Sequence, residues 1–132
     1  MLGEQIVEWK GKVTGTRVLD VEGPTIETSV SASGSVRGTQ ANISITFVAK
    51  PVSPGVLHGK GWGVIMAGNS EMASVEAESI GRMTANGGKW RGALFHRTAS
   101  TGELSFLNNT VGVLETETDM EGNFTEKVWE WK

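Results

Sequence analysis

The feature that most constrains the fold is an alternation of apolar and polar residues with a period of two, which recurs in short segments along the chain. It is clearest in residues 41–50, where Ile43, Ile45 and Phe47 alternate with mainly polar side chains. Residues 26–33 repeat the pattern, and a glycine-containing turn at residues 34–38 separates the two segments. Because this period places one face of a strand in the core and the other in solvent, the two segments predict a β-hairpin.

Six further segments share this strand-like character, and turn signals rich in glycine, asparagine and proline separate them. The eight segments are residues 5–22, 26–33, 41–50, 57–66, 71–83, 89–98, 103–117 and 124–131. No amphipathic window is long enough for the helix that joins parallel strands. The sequence therefore predicts an all-β fold, a closed, mainly antiparallel up-and-down barrel of about eight strands. A chain of 132 residues has room for one hydrophobic core, so residues 1–132 are predicted to form a single domain.

The two ends of the chain support closure because they resemble each other. Trp9 lies between Glu8 and Lys10, and Trp129 and Trp131 stand among Glu and Lys in the last segment. As cross-strand neighbours these residues would pair Trp with Trp and Glu with Lys, so the first and last strands are predicted to pair. Val7, Trp9, Val13, Leu19 and Val21 fall on one side of the first segment, and Gly11 and Gly15 are predicted to let this long barrel strand bend.

Composition and charge argue against several function classes. The net charge of −3, with Lys and Arg scattered, provides no basic surface for nucleic acid. The absence of cysteine excludes disulfides, thiolate nucleophiles and cysteine metal sites, and with two histidines no metal site is predicted. No cofactor motif is found. The N-terminus lacks the pattern of a signal peptide and no window suits a membrane-spanning helix, so a cytoplasmic protein without a membrane partner is expected.

Two stretches carry a resemblance to a known fold group. Residues 100–108 read STGELSFLN and follow the WRGA of residues 90–93. Together they resemble the turn and strand found late in small bacterial barrels of the allene-oxide-cyclase-like fold, most of which are domains of unknown function. Residues 38–42, GTQAN, are similar to the opening of an earlier strand in those barrels.

The resemblance implies a barrel with an apolar interior, assembled as a homodimer or homotrimer. Characterised members of the wider fold, the plant cyclases and the dirigent proteins, enclose reactive apolar intermediates. No position of this chain matches their catalytic residues as a motif, so the resemblance assigns no residue. Several small residues leave space in the interior. Whether the interior is hollow depends on whether the five tryptophans fill this space. The small residues are Gly59, Gly61, Gly63, Ala73, Ala77, Gly92 and Ala93.

Three residues are candidates for catalysis in an open interior. His96 shares a strand face with Trp90 and Leu94, where a neutral imidazole could move a proton; the alternative is a hydrogen-bonded core histidine. Asn108 could polarise a carbonyl or hold a water, and the alternative is an asparagine at the barrel rim. Glu78 could act as a general base if its strand face were internal, whereas a solvated outer face with charge pairs is the alternative.

Five residues are candidates for binding a ligand. Trp62 and Trp90 could stack on an unsaturated molecule, and the alternative is a place in the core or at a subunit contact. His58 and Arg97, near strand ends, could bind a carboxylate at the barrel mouth, with a surface position as the alternative. Asn109 directly follows another asparagine, so in a regular strand one of these two amides must face the interior.

Three functions are compatible with these residues. The leading hypothesis is a barrel that encloses a small, largely apolar molecule and acts as an isomerase, cyclase or lyase through confinement and proton transfer. A non-catalytic carrier requires the same cavity without a titratable group inside it. A structural or interaction module requires a filled barrel, with exposed Trp9, Trp129 or Trp131 at an oligomer interface. The volume of the interior distinguishes the last hypothesis from the first two.

Overall fold

The computed structural model describes all 132 residues and shows a closed barrel in which eight strands run up and down in chain order. The predicted all-β barrel is therefore confirmed. The strands are β1 (Leu2–Asp20), β2 (Thr25–Val36), β3 (Thr39–Ser53), β4 (Val56–Ala67), β5 (Glu71–Thr84), β6 (Gly87–Arg97), β7 (Val111–Asp119) and β8 (Asn123–Trp131). Every neighbouring pair is antiparallel, and the helical content is a 3₁₀ turn at Ser105–Leu107. No helix has the length and apolarity needed to cross a membrane.

The barrel closes between β1 and β8, so the predicted pairing of the two chain ends is confirmed. Glu8 lies opposite Lys127, in agreement with the predicted pairing of Glu with Lys. Trp9, however, lies opposite Glu126 rather than a tryptophan, and the register shifts at a bulge near Gln5. This register brings Trp9 and Glu126 together on the inner face.

The turn between β2 and β3 differs from the prediction. Gly34 belongs to β2, and the turn is made by Arg37 and Gly38, which both have positive φ. A side chain at position 34 would collide with the neighbouring strand, since an added Cβ would fall 1.8 Å from the carbonyl oxygen of Glu8. The glycine is therefore required by close strand packing rather than by a turn.

The second half of β1, from residue 13 to residue 20, extends beyond the barrel wall. β1 pairs with β8 only as far as Lys12, whereas its pairing with β2 continues to Asp20. Leu19 and Val21, which the period of two places on the same side as Trp9, therefore do not share its burial. Both are exposed, because the extended hairpin has no opposite wall to cover them.

Residues 98–110, called the plug segment below, close one end of the barrel. The predicted strand over residues 103–117 is wrong in its first half, since β7 begins at Val111 and a loop with the 3₁₀ turn precedes it. Leu104 and Leu107, at the two ends of this turn, are fully buried. Residues three apart lie above one another in a 3₁₀ turn, so both point into the barrel, and a period-two pattern does not detect this spacing.

The plug segment is attached to the start of β5 by the side chain of Glu71. The carboxylate oxygens of Glu71 accept hydrogen bonds from the backbone N–H groups of Gly102 at 3.3 Å and Leu104 at 2.9 Å. Beside them, the hydroxyl oxygen of Ser100 accepts a bond from the N–H of Met72 at 2.9 Å. These bonds hold the buried leucines over the barrel end.

The two ends of the barrel interior differ in exposure. Beneath the plug segment, the side chains of Val36, Ile65 and Val128 are no more than 1 % exposed. Nearer the other end, inward-facing Phe47 and Ala77 are only partly buried. The interior is therefore sealed at the plug end and accessible to solvent from the opposite end.

Candidate functional site

A row of inward-facing side chains crosses three adjacent strands in the accessible half of the barrel. Trp90 on β6 lies opposite Thr116 on β7, and Thr116 lies opposite Glu126 on β8. Trp9 on β1 flanks Glu126 on its other side. All four residues are buried, and Glu126 is the only acidic residue among the buried side chains. An acid group therefore stands inside the barrel between an indole and a threonine hydroxyl.

Glycines make room for the indole of Trp90. The ring lies against Gly81 of β5 and Gly59 of β4, where an added Cβ would fall 2.6 Å and 3.1 Å from ring carbons. Phe47 meets the same ring edge-on, with centroids 5.6 Å apart and an interplanar angle of 65°. Part of the space that the small residues leave is thus filled by Trp90.

A cavity of about 60 Å³ remains beside this row. A water molecule needs on the order of 10–15 Å³ of such space, so the cavity can hold a few waters or a small organic group. Its apolar lining includes Ile45, Phe47, Val75, Ala77, Leu114 and Phe124. Its polar lining includes Lys60, Ser79, Thr116, Thr118 and Glu126. The interior is therefore small and mainly apolar, with a few polar groups, which is the usual composition of a ligand site.

Glu126 is the acid–base group of this cavity. Its Oε1 accepts a hydrogen bond from Oγ1 of Thr116 at 2.5 Å, whereas its Oε2 accepts none from the chain and is not fully buried. Loss of water raises the pKa of the Glu126 carboxyl from 4.5 to about 7, although the hydrogen bond from Thr116 opposes the shift. Near neutral pH the carboxyl is therefore able to donate a proton or to accept one.

The indole N–H of Trp90 is the second polar feature of the cavity. Its Nε1 is the one buried side-chain nitrogen or oxygen atom without a hydrogen-bond partner. Leaving a buried donor unsatisfied costs about 1–3 kcal/mol. Gly88 permits close packing around the N–H, since an added Cβ there would fall 2.7 Å from the terminal methyl carbon of Met83 and 3.1 Å from both Nε1 and Oγ1 of Thr118. The N–H therefore offers a bond to an acceptor that the chain does not supply.

His96 points inward, on the face it shares with Leu94, but it lies outside the cavity lining. Its Nδ1 lies 3.1 Å from the carbonyl oxygen of Thr110, which also accepts the backbone N–H of His96 at 3.0 Å. Burial lowers the pKa of the imidazole, while the hydrogen bond with Thr110 opposes the shift. The side chain thus ties the end of the plug segment to β6.

Asn108 and Asn109 are both exposed on the plug segment. The inference that one of the two amides faces the interior is wrong, because it requires a regular strand at these positions and the structure has a loop. The side-chain oxygen of Asn108 accepts the N–H of Thr98 at 3.2 Å. Asn109 adopts a positive φ of 62° just before β7. Both asparagines therefore shape the loop at the barrel rim.

The other candidate residues lie on the outer face. Oε2 of Glu78 on β5 lies 2.7 Å from Nε2 of His58 on β4, and Glu78 is exposed. Trp62 belongs to a strand of the cavity wall, but it alternates with inward glycines and its side chain is 49 % exposed. Arg97 is exposed at the end of β6. Of the eight candidate catalytic and binding residues, Trp62 and Trp90 belong to the cavity lining, and Trp90 alone is buried there.

Glu126 is not among the residues predicted from the sequence, although its position carries a signal. Glu126 lies midway between Phe124 and Val128, which are both buried in the core. Alternation with a period of two puts all three residues on the inner face of β8. The same reasoning places Thr116 inward, two residues after buried Leu114.

Comparison with known proteins gives a fold but no activity. No protein-family model matches the chain. No curated protein matches it either. The chain is similar in structure to a protein with unknown function from Clostridium acetobutylicum ATCC 824, with a TM-score of 0.80 and 12 % sequence identity over 98 % of each chain. Identity this low shows a common barrel fold alone. No group of three or more His, Cys, Asp or Glu side chains is placed to hold a metal ion.

Proposed function

We propose that the barrel binds a small, largely apolar molecule in its cavity and that Glu126 transfers a proton to or from this molecule. The observation that carries the proposal is a buried carboxyl, with a pKa raised to about 7, in the wall of an otherwise mainly apolar cavity. Proton transfer is most efficient when the pKa of the catalytic group lies near the working pH. No other acidic side chain and no histidine lines the cavity.

The chemistry that fits this site is an isomerase, cyclase or lyase reaction. Such reactions can proceed by confinement and proton transfer, without a covalent nucleophile. The proposal extends the expectation drawn from allene-oxide-cyclase-like barrels, whose characterised members enclose reactive apolar intermediates, although residues 100–108 form a loop here rather than a turn and strand. The cavity volume of about 60 Å³ favours a compact ligand, or one that inserts a small group through the accessible end of the barrel.

Ligand entry is tested with xenon, which occupies small apolar cavities. The NMR resonance of the Trp90 indole N–H reports on the cavity, and we expect it to shift under xenon pressure. The substitution Ala77→Leu fills the cavity and is expected to abolish the shift. Ala93→Leu makes the same change on the outer face of β6 and is expected to preserve it. A wild-type Trp90 resonance that xenon does not move would contradict ligand binding.

The role of Glu126 is tested by following the carboxyl carbon resonances as the pH is changed. Glu126 is expected to titrate with a midpoint of about 7. The exposed Glu115, on the outer face of β7, serves as the reference carboxyl. A midpoint near 4.5 for Glu126 would contradict the proton-transfer role. A natural ligand that binds in the cavity and is recovered unchanged would instead identify a carrier.

A further inference from the structure

The unpartnered atoms of Trp90 and Glu126 indicate a substrate class. We propose, building on the function proposed above, that the cavity takes a small uncharged carbonyl compound with a C–H bond next to the carbonyl, and that it catalyses a proton shift in this compound. The carbonyl oxygen binds Nε1–H of Trp90, and Oε2 of Glu126 removes the neighbouring proton. Each of these atoms lacks a partner within the chain.

The requirement for an acceptor comes from Trp90. An indole N–H can only donate a hydrogen bond, so its partner must carry an acceptor such as a carbonyl oxygen. Beside Gly88, the N–H is bordered by the flexible end of the Met83 side chain and by the hydroxyl of Thr118. Donors placed around one oxygen stabilise the negative charge that develops on it during enolate formation.

The requirement for an uncharged ligand comes from the cavity walls. Lys60 is the one cationic residue of the lining, but it is exposed and alternates with the inward-facing Gly59 and Gly61, and His96 is held by Thr110 outside the cavity. An anionic ligand would therefore lose its water without gaining a cation, and it would repel the ionised carboxylate of Glu126. A neutral carbonyl compound avoids both costs.

The strand register separates the two groups by a distance that suits a small molecule. Trp90 and Glu126 lie on either side of Thr116 in one row, so their Cα atoms are two strand spacings apart, about 10 Å. Thr116 also binds Oε1 of Glu126, which leaves Oε2 available to the ligand. The donor and the base thus line opposite sides of one space.

The reaction balances without a second reactant. Oε2 of Glu126 takes the proton as the C–H bond breaks, the electron pair of that bond forms a C=C bond, and the carbonyl π pair moves to the oxygen. The N–H of Trp90 holds the enolate oxygen. The carboxylic acid then returns the proton to the same carbon, or to a conjugated carbon, which yields an isomer.

Exchange of the α-protons of cyclopentanone for deuterium in D₂O measures the first half of this reaction. Proton NMR is expected to show exchange faster than in buffer, with a rate that rises with pH toward a plateau above about 7, as Glu126 ionises. Glu126→Gln is expected to abolish the acceleration, and Trp90→Phe to lower it by about 10²-fold. Glu115→Gln makes the same amide change on the outer face of β7 and is expected to have no effect.

The outcomes separate the substrate class from the binding function. Cyclopentanone that shifts the Trp90 indole resonance but exchanges no faster than in buffer would overturn the substrate class and leave ligand binding intact. Acceleration that persists in Glu126→Gln would overturn the assigned base. Failure of both xenon and cyclopentanone to move the Trp90 resonance would overturn both proposals.

The outer surface carries a separate feature that points to a partner. One side of the barrel is charged, with Arg91, Glu115, Lys127 and Glu8 opposite one another on four successive strands. The other side has five large apolar side chains that are 41–55 % exposed. These residues, called the apolar face, are Trp62, Val64 and Met66 of β4, Met72 of β5 and Phe95 of β6. Clustered exposed apolar residues of this kind mark an interaction surface.

We infer that the apolar face binds a second copy of this chain as a two-fold dimer. In a two-fold interface the same surface meets itself, so a charge within it needs an opposite charge elsewhere in the same surface. Glu76 lies between Trp62 and Phe95 in the register, and Arg97 lies two residues beyond Phe95. Neither Glu76 nor Arg97 forms an ion pair within the chain. The dimer pairs Glu76 of each copy with Arg97 of the other.

Analytical ultracentrifugation at about 100 μM protein, where micromolar affinity gives mostly dimer, tests this inference. Trp62→Glu is expected to give a monomer, whereas Val21→Glu, on an exposed loop outside the apolar face, keeps the dimer. Glu76→Arg is expected to raise the Kd at least about tenfold, and adding Arg97→Glu to restore it. A monomeric wild type, a dimer that survives Trp62→Glu, or a monomer that instead binds lipid or another protein through this face would overturn the inference.

Discussion

The substitution Glu126→Gln is expected to change how the stability of the barrel depends on pH. In the unfolded chain the carboxyl ionises at its ordinary pKa of 4.5, whereas in the barrel burial raises the pKa to about 7. A carboxyl whose pKa rises on folding stabilises the fold fully below the unfolded value, and this contribution is lost as the pH rises through the folded value. Glutamine never ionises, so the variant lacks this dependence.

The magnitude follows from the two pKa values. One pKa unit corresponds to about 1.4 kcal/mol of difference between the protonation states. The shift from 4.5 to about 7 therefore makes the wild type about 3 kcal/mol less stable above the folded pKa than below the unfolded one. Solvent screens little of this effect, since Glu126 is 7 % exposed. It is a large part of the 5–15 kcal/mol, roughly, that stabilises a typical domain.

Urea unfolding of the wild type and the variant between about pH 4 and pH 9 measures the effect. The quantity of interest is the wild-type free energy of unfolding minus that of Glu126→Gln, in which the titration of His96 and of the surface groups cancels. This difference is expected to fall by about 3 kcal/mol across the interval from 4.5 to about 7. Glu115→Gln is the matched control on the outer face. A difference for Glu126→Gln that does not vary with pH would refute the raised pKa.

Three other substitutions test the packing and the plug segment. Gly81→Ala places a Cβ 2.6 Å from the Trp90 ring and is expected to cost about 1–3 kcal/mol in urea unfolding; an unchanged midpoint would contradict the tight contact. Glu71→Gln weakens the bond to the N–H of Leu104 and is expected to speed amide hydrogen exchange in the plug segment. Unchanged exchange rates would show that other contacts hold the segment. Because burial lowers the pKa of His96 from 6.5, stability is lost as the pH falls below that value, and His96→Gln is expected to remove this acid sensitivity in urea unfolding.

The strands and their order could be predicted from the sequence because their signals are local. An alternation with a period of two is visible within each segment, and an up-and-down order requires only neighbouring segments to pair. The one pairing between distant segments is that of β1 with β8. It is indicated by the similar arrangement of Trp, Glu and Lys at the two ends of the chain, and Glu8 does lie opposite Lys127. Its register could not be predicted, because it depends on a bulge near Gln5.

The plug segment could not be predicted because its structure depends on contacts that are distant in sequence. Leu104 and Leu107 are three residues apart, a helical spacing, although the rest of the chain forms strands. A pattern with a period of two does not detect this spacing. The anchor of the segment is Glu71, a carboxylate 33 residues before Leu104. The same limit applies to Asn108, whose place at the rim follows from the loop.

The interior was predictable only in part. Trp90 is identified from its strand face, but the glycines that accommodate its ring lie on two other strands and are known only once the strands are paired. Glu126 was missed because charged residues are rarely buried, so a Glu in a strand is assigned to the solvent face by default. Its neighbours Phe124 and Val128 indicate the opposite, and the conflict between residue type and position was itself the signal of a functional site.

Two unfavourable features in one small cavity argue for an occupant. The ionised carboxyl of Glu126 weakens the fold by about 3 kcal/mol at pH values above its pKa of about 7, and glutamine could accept the same hydrogen bond from Thr116 without this loss. The unpartnered N–H of Trp90 adds a cost of about 1–3 kcal/mol, which phenylalanine would remove. Packing alone explains neither residue. A ligand that accepts a hydrogen bond from Trp90 and exchanges a proton with Glu126 gives both residues a reason to be there.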